Sequence, residues 1–193
     1  MSDLEEPKAG VSRRTVTKAM AWSVPAIALA VPAPAYAASG GGPDIEPGVA
    51  FKLPGNSCAQ KLNFPTLDPD KGYLFTFLVT NNTDKPIIIF ASPAPTITTT
   101  AAGLTFSLVG TVPVLPFTLA PGDDVTLGLY ANGSNSANTT FDVTATIYWG
   151  HSIPDPDNHD PIIVSWTVPS TPTPQSEGFT GDEACVPPFV PLD

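Results

Sequence analysis

From Tyr73 to Val168 apolar side chains recur at every second position in one short run after another. Tyr73, Phe75, Phe77 and Val79 alternate with Leu74, Thr76, Leu78 and Thr80. Phe141, Val143, Ala145, Ile147 and Trp149 make the longest clean stripe, and Ile162, Val164, Trp166 and Val168 close the series. A period of two puts successive side chains on opposite faces of an extended chain, whereas an amphipathic helix needs apolar residues three to four apart. After residue 38 no stretch holds the helical period through three turns. Shorter runs at Val49–Leu53, Pro86–Phe90, Leu104–Leu108, Leu115–Leu119 and Val125–Leu129 complete a set of roughly seven to nine strands, the signature of an all-β antiparallel sandwich over residues 49–168.

Turn chemistry separates the runs. Asn81-Asn82-Thr83-Asp84 and Ala120-Pro121-Gly122-Asp123 carry the residues that favour reversals, and Ala131 to Asn138 reads as a polar loop. Between turns, one face of each strand is apolar and the other is Thr, Ser or Asp, the pattern of two sheets with wet outer faces. Threonine suits such a face because its branched side chain favours strands while its hydroxyl stays solvated.

The run FLVTNNTDKPIIIF (77–90), followed by FTLAPGDDVTLGLY (117–130), resembles the bacterial immunoglobulin-like domains of exported surface proteins. Those domains show a strand, an Asn-Thr turn and a strand, then a Leu-x-Pro-Gly turn before another alternating strand. The resemblance covers Phe75 to Trp149 and implies an immunoglobulin-like sandwich used for adhesion, spacing or display rather than for chemistry. The chain departs from the antibody pattern in one respect, since its cysteines lie outside the strand series.

The first residues supply an address. Ser12-Arg13-Arg14-Thr15-Val16-Thr17-Lys18 precedes an alanine-rich apolar stretch that ends in Ala35-Tyr36-Ala37. A charged start, a hydrophobic middle and a small-x-small site are the three parts of a bacterial export signal, and the paired arginines resemble its twin-arginine form. The apolar stretch is shorter than the roughly 20 residues of a membrane span, and Pro25, Pro32 and Pro34 interrupt it. Cleavage is expected after Ala37. A flexible leader at 38–48 and a proline-rich extended tail at 169–193 should then flank the sandwich.

Removing the signal removes every arginine and leaves Lys52, Lys61, Lys71 and Lys85 as the only strong bases. The whole chain already has a formal net charge of −10. So acidic a chain is a poor match for phosphate backbones, which demand Lys and Arg contacts, and anionic membrane surfaces repel it. Nucleic acid is excluded as a partner, and so is a membrane once the signal is gone. An envelope protein or a glycan fits better. Cys58 and Cys185, the chain's two cysteines, form an even set in an exported protein and are expected to pair as a disulfide.

Chemistry-bearing residues concentrate in the loop after Trp149. Asp155, Asp157 and Asp160 place carboxylates at short spacing and are the candidate calcium ligands, since calcium takes six to eight oxygens. The loop lacks the glycine and distal glutamate of an EF-hand, and a solvated hairpin rich in Asp and Pro is the plainer reading. His151 and His159, the chain's only histidines, are a candidate transition-metal pair. No Gly-x-Ser-x-Gly elbow and no phosphate-cradling glycine loop occurs, so no catalytic residue and no cofactor are assigned. Alternation puts Trp149 and Trp166 in the core, and it leaves Tyr130 and Tyr148 on the polar faces as candidate glycan platforms. The expected function is that of an exported, non-catalytic structural or interaction module of the cell envelope. A small ligand-binding module is the alternative and a secreted hydrolase the third reading.

Overall fold

The computed structural model describes residues 41–53, 64–68, 70–137, 139–154, 159–170, 173–178, 180–181 and 184–185. The chain divides into two units, Met1–Ala33 and Pro34–Asp193, and every described residue belongs to the second. The export signal, with Arg13, Arg14, Ala35 and Ala37, lies outside the described residues.

Ten strands are seen among the described residues: β1 (Asp44–Lys52), β2 (Gly72–Thr80), β3 (Ile87–Ile89), β4 (Thr96–Thr99), β5 (Phe106–Val112), β6 (Phe117–Leu119), β7 (Asp124–Gly133), β8 (Phe141–Ile147), β9 (Trp149–Gly150) and β10 (Ile162–Val168). They form three sheets, ordered β1-β2-β7-β5, β10-β8-β4 and β6-β3-β9. All pairings are antiparallel. The fold is all-β and sandwich-like, as the alternation predicts, and no described helix is long and apolar enough to cross a membrane.

The interior joins the sheets through aromatic side chains. Trp166 of β10 meets the ring of Phe77 at 5.3 Å and that of Phe75 at 6.3 Å, both edge to face. Phe106 of β5 packs edge-on against Phe75 at 5.0 Å. The inward sets Phe141-Val143-Ala145-Ile147 and Val164-Trp166-Val168 are buried as their spacing requires. Each such side chain contributes about 1.5–3 kcal/mol on leaving water, and the offset ring geometry adds to that.

Five expectations need correction. The leader is shorter than 38–48, because β1 starts at Asp44. Pro47 is tolerated because β1 is an edge strand with its register shifted between Pro47 and Ala50. There the Thr76 hydroxyl donates to the Val49 carbonyl at 2.8 Å. The strand count exceeds nine, since Thr96-Ile97-Thr98-Thr99 forms β4 on the single buried apolar residue Ile97. The long stripe ending at Trp149 is divided, with β8 in one sheet and β9 pairing with β3 in another. The expected loop 131–138 begins late, because β7 continues to Gly133.

The fifth correction concerns the outer face of the four-stranded sheet, which is dry rather than wet. Phe51, Leu53, Leu74 and Tyr130 point away from the main core, yet they are buried together with Leu67. Residues 64–68 roof them. Asn132 of β7 holds that segment in place, its Oδ1 accepting the Asp68 amide at 2.7 Å and its Nδ2 donating to the Thr66 carbonyl at 2.8 Å. The Phe64 ring packs against that of Tyr130 at 5.2 Å, tilted by 54°. A Cβ on Gly110 would lie 2.5 Å from the Phe64 ring, so any side chain at this strand position would displace that ring from its place in the roof.

The tail completes the cover. Ala184 and Cys185 are buried, and the Tyr130 hydroxyl donates to the Cys185 carbonyl at 2.6 Å. Burial pushes the Tyr130 phenol well above the ordinary phenol range. A raised folded value means that its contribution to stability is full below the unfolded value of about pH 10 and is lost as pH rises beyond it. Tyr130→Phe should therefore lower stability near neutrality by about 1–3 kcal/mol, through the orphaned carbonyl. The same variant should lose less stability than wild type between pH 9 and about 11. Parallel denaturant melts check this, and equal alkaline slopes would refute it.

Candidate functional site

The described residues bring one chemically competent group of side chains together, beside the short strand β9. Pairing of Ile89 with Trp149 and of Ile88 with Gly150 fixes β9 against β3. Trp149 is thereby held in the core, with Gly42 close enough to its ring that a Cβ there would approach to 3.1 Å. The indole Nε1 donates to the carbonyl of Asp160 at 3.1 Å, which ties the far end of the loop back to its start.

The two histidines converge on this tryptophan. The His151 ring stands perpendicular to the indole at 5.6 Å, and the His159 ring lies 4.4 Å from it, tilted. The two imidazoles are 5.0 Å apart, centre to centre, and at 87° to each other. His151 Nδ1 lies 2.9 Å from the Pro86 carbonyl. A carbonyl only accepts, so Nδ1 carries the proton and Nε2 is left as the basic nitrogen. Both rings are half-buried.

The remaining expectations fall out unevenly. Asp160 is exposed, and its backbone carbonyl engages the indole. Asp155 and Asp157 lie outside the described residues. Among the described residues no group of three or more His, Cys, Asp or Glu side chains is placed to hold a metal ion. Trp149 and Trp166 are core residues, as alternation predicts. Tyr130 is not the exposed platform expected of it but is wholly buried beneath the roof, because Phe64 and the tail cover its face. Tyr148 is half-buried. Cys58 lies outside the described residues, and no described cysteine is a free thiol.

Sequence reasoning missed one thing about this region. It treated Trp149 as core filling alone, although the ring is also the surface that orders both histidines. It did pair His151 with His159, whose ring centres lie 5.0 Å apart. His151 lies two residues and His159 ten residues beyond Trp149, and spacing across a loop does not determine distance.

No family model matches the chain, and no curated protein matches it. Solved structures give distant likenesses. One is the cupredoxin domain of amoB from Nitrosocaldus yellowstonii, 11% identical with a TM-score of 0.40, covering 72% of this chain and 95% of that one. Another is the secreted serine protease VesC from Vibrio cholerae, 15% identical with a TM-score of 0.31, covering 51% of this chain and 19% of that one.

Proposed function

We propose that the chain is exported by its twin-arginine signal and acts in the cell envelope as a non-catalytic, immunoglobulin-like interaction module. The observation that carries this reading is the outer face of the β10-β8-β4 sheet. There Thr96, Thr98, Ser165, Thr167 and Ile163 are exposed, and Thr144 and Thr146 are half-buried between them. The register aligns them in rows across the strands, Thr96-Thr146-Ile163 and Thr98-Thr144-Ser165, with Asp142 beside Thr167 at one end. Thr144 and Ser165 share a hydrogen bond of 2.8 Å across the ladder, and the Thr167 hydroxyl donates to Asp142 Oδ1 at 2.7 Å.

A flat, hydroxyl-lined face with an exposed isoleucine suits a neutral, hydroxyl-rich partner such as an envelope glycan, or the matching face of an envelope protein. The acidity of the rest of the chain keeps the domain soluble and away from anionic surfaces. A disulfide between Cys58 and Cys185 belongs to the same proposal. It is supported by Cys185 not being a free thiol and by the presence of only one other cysteine in the chain.

The test uses the secreted, tag-free protein and isolated bacterial envelopes. Wild type should sediment with the envelopes. The variant Thr98→Glu/Thr144→Lys/Ser165→Glu should stay in solution with its melting temperature nearly unchanged, because alternating charges are compatible with neighbouring strands. Prior protease treatment of the envelopes separates a protein partner from a glycan. Equal sedimentation of variant and wild type would overturn the reading. In the producing cell, Arg13→Lys with Arg14→Lys should retain an uncleaved precursor, whereas wild type should begin at Ala38.

A further inference from the structure

We propose that His151 and His159 form a two-imidazole site for a late divalent transition-metal ion, Cu²⁺ or Zn²⁺, walled by Trp149. Three observations converge. The first is separation. Imidazole nitrogens bind such ions at about 2.0–2.1 Å, so two rings on one near-tetrahedral ion have their centres roughly 5–5.4 Å apart. These rings stand at 5.0 Å. The second is orientation. Metal-ligating histidines characteristically donate the other ring N–H to a carbonyl or carboxylate, which fixes the tautomer and turns the basic nitrogen outward. His151 does this through Pro86.

The third observation is rigidity. Trp149 is anchored in the core and bound to the Asp160 carbonyl next to His159, so both ends of the loop are referred to one buried ring. Each imidazole has two nitrogens, so His159 can keep a protein contact through one and bind metal through the other. With two protein ligands, the remaining positions go to water. Imidazole donors select Cu²⁺ above Zn²⁺ and both far above Mn²⁺, whereas Ca²⁺ seeks oxygen. The metal class is therefore distinct from that of the aspartate loop, and the inference is independent of the envelope reading.

The experiment titrates the tag-free secreted protein with CuCl₂, ZnCl₂, MnCl₂ and CaCl₂, followed by calorimetry and tryptophan fluorescence. Cu²⁺ should bind one to one and quench the indole emission, because Trp149 lines the site. Zn²⁺ should bind more weakly and Mn²⁺ negligibly. The electron paramagnetic resonance spectrum of the Cu²⁺ form should show nitrogen coupling. His151→Asn and His159→Gln, which keep polar side chains of similar reach, should each weaken Cu²⁺ binding about tenfold or more. The double variant should remove both saturable binding and quenching, with far-ultraviolet circular dichroism confirming that it is folded. Saturable Cu²⁺ binding that survives in the folded double variant, or no binding to wild type at millimolar metal, would overturn the proposal.

Discussion

Asn81→Asp should destabilise the domain by about 3–5 kcal/mol, although it exchanges a single NH₂ for an oxygen. Asn81 is wholly buried at the end of β2. Its Nδ2 donates to the carbonyls of Lys85 and Leu119 at 2.9 and 3.0 Å. Its Oδ1 accepts the Thr83 amide at 3.0 Å and lies 2.7 Å from the Thr83 hydroxyl. The backbone is committed as well, to Asp123 and Gly122 in the turn before β7. One residue thus joins the end of β2, the reversal into β3, the last residue of β6 and the turn ahead of β7.

A carboxylate keeps the acceptor side of this network and turns the donor side into oxygen facing two carbonyls. Each orphaned carbonyl costs about 1–3 kcal/mol, and an unpaired buried charge costs more than either. Burial raises the folded pKa of such a carboxyl. Its penalty is therefore small below the unfolded value of about pH 4 and grows as pH rises above it. Denaturant melts at pH 3.5 and pH 7 should show the gap to wild type widening with pH. A constant gap would mean that the carboxylate is solvated and that Asn81 is not the junction its contacts describe.

Breaking the proposed Cys58–Cys185 bridge should have an effect of similar size. A closed loop of more than a hundred residues is worth up to about 5 kcal/mol in the chain-entropy model, less any native strain. Here the consequence is also local, because the Cys185 carbonyl is the acceptor for the buried Tyr130 hydroxyl. Losing the tail takes this acceptor away from Tyr130, which is buried in the second apolar cluster with Phe51, Leu53, Leu67 and Leu74. Reduction, or Cys185→Ser, should lower the denaturation midpoint and raise the binding of an apolar dye before global unfolding. Two titratable thiols in the denatured, unreduced protein would refute the bridge.

Strands whose partners lie at regular spacing were legible in the residues. β8 and β10 alternate cleanly because one side of each faces the core, β2 keeps its Tyr73-Phe75-Phe77-Val79 stripe, and the two core tryptophans follow from such spacing. The turn at Ala120–Asp123 was legible too: Gly122 takes φ +80°, and the Asp123 amide donates to the Ala120 carbonyl at 3.1 Å. What escaped depends on contacts distant in sequence. Tyr130 alternates onto the side that looks polar, and it is dry only because residues 64–68 and Cys185 return to cover it. Thr96–Thr99 carries one apolar residue, so β4 is specified by pairing with β8 rather than by its own pattern. Asn81 reads as a turn former, and nothing local shows that four segments meet at this residue. The histidines lie eight positions apart in a loop, and the buried indole that gathers them acts through tertiary structure alone.

The central claim is that this domain works by presenting the outer face of its β10-β8-β4 sheet. Amide hydrogen exchange of the secreted protein, free and bound to isolated envelopes, tests it most directly. Binding should slow exchange in peptides covering Thr96–Thr99 and Ile162–Val168, whose edge amides border that face. Exchange in β1, in β6 and in the loop after Trp149 should be unchanged. Protection confined to β1, or to the histidine loop, would contradict the claim.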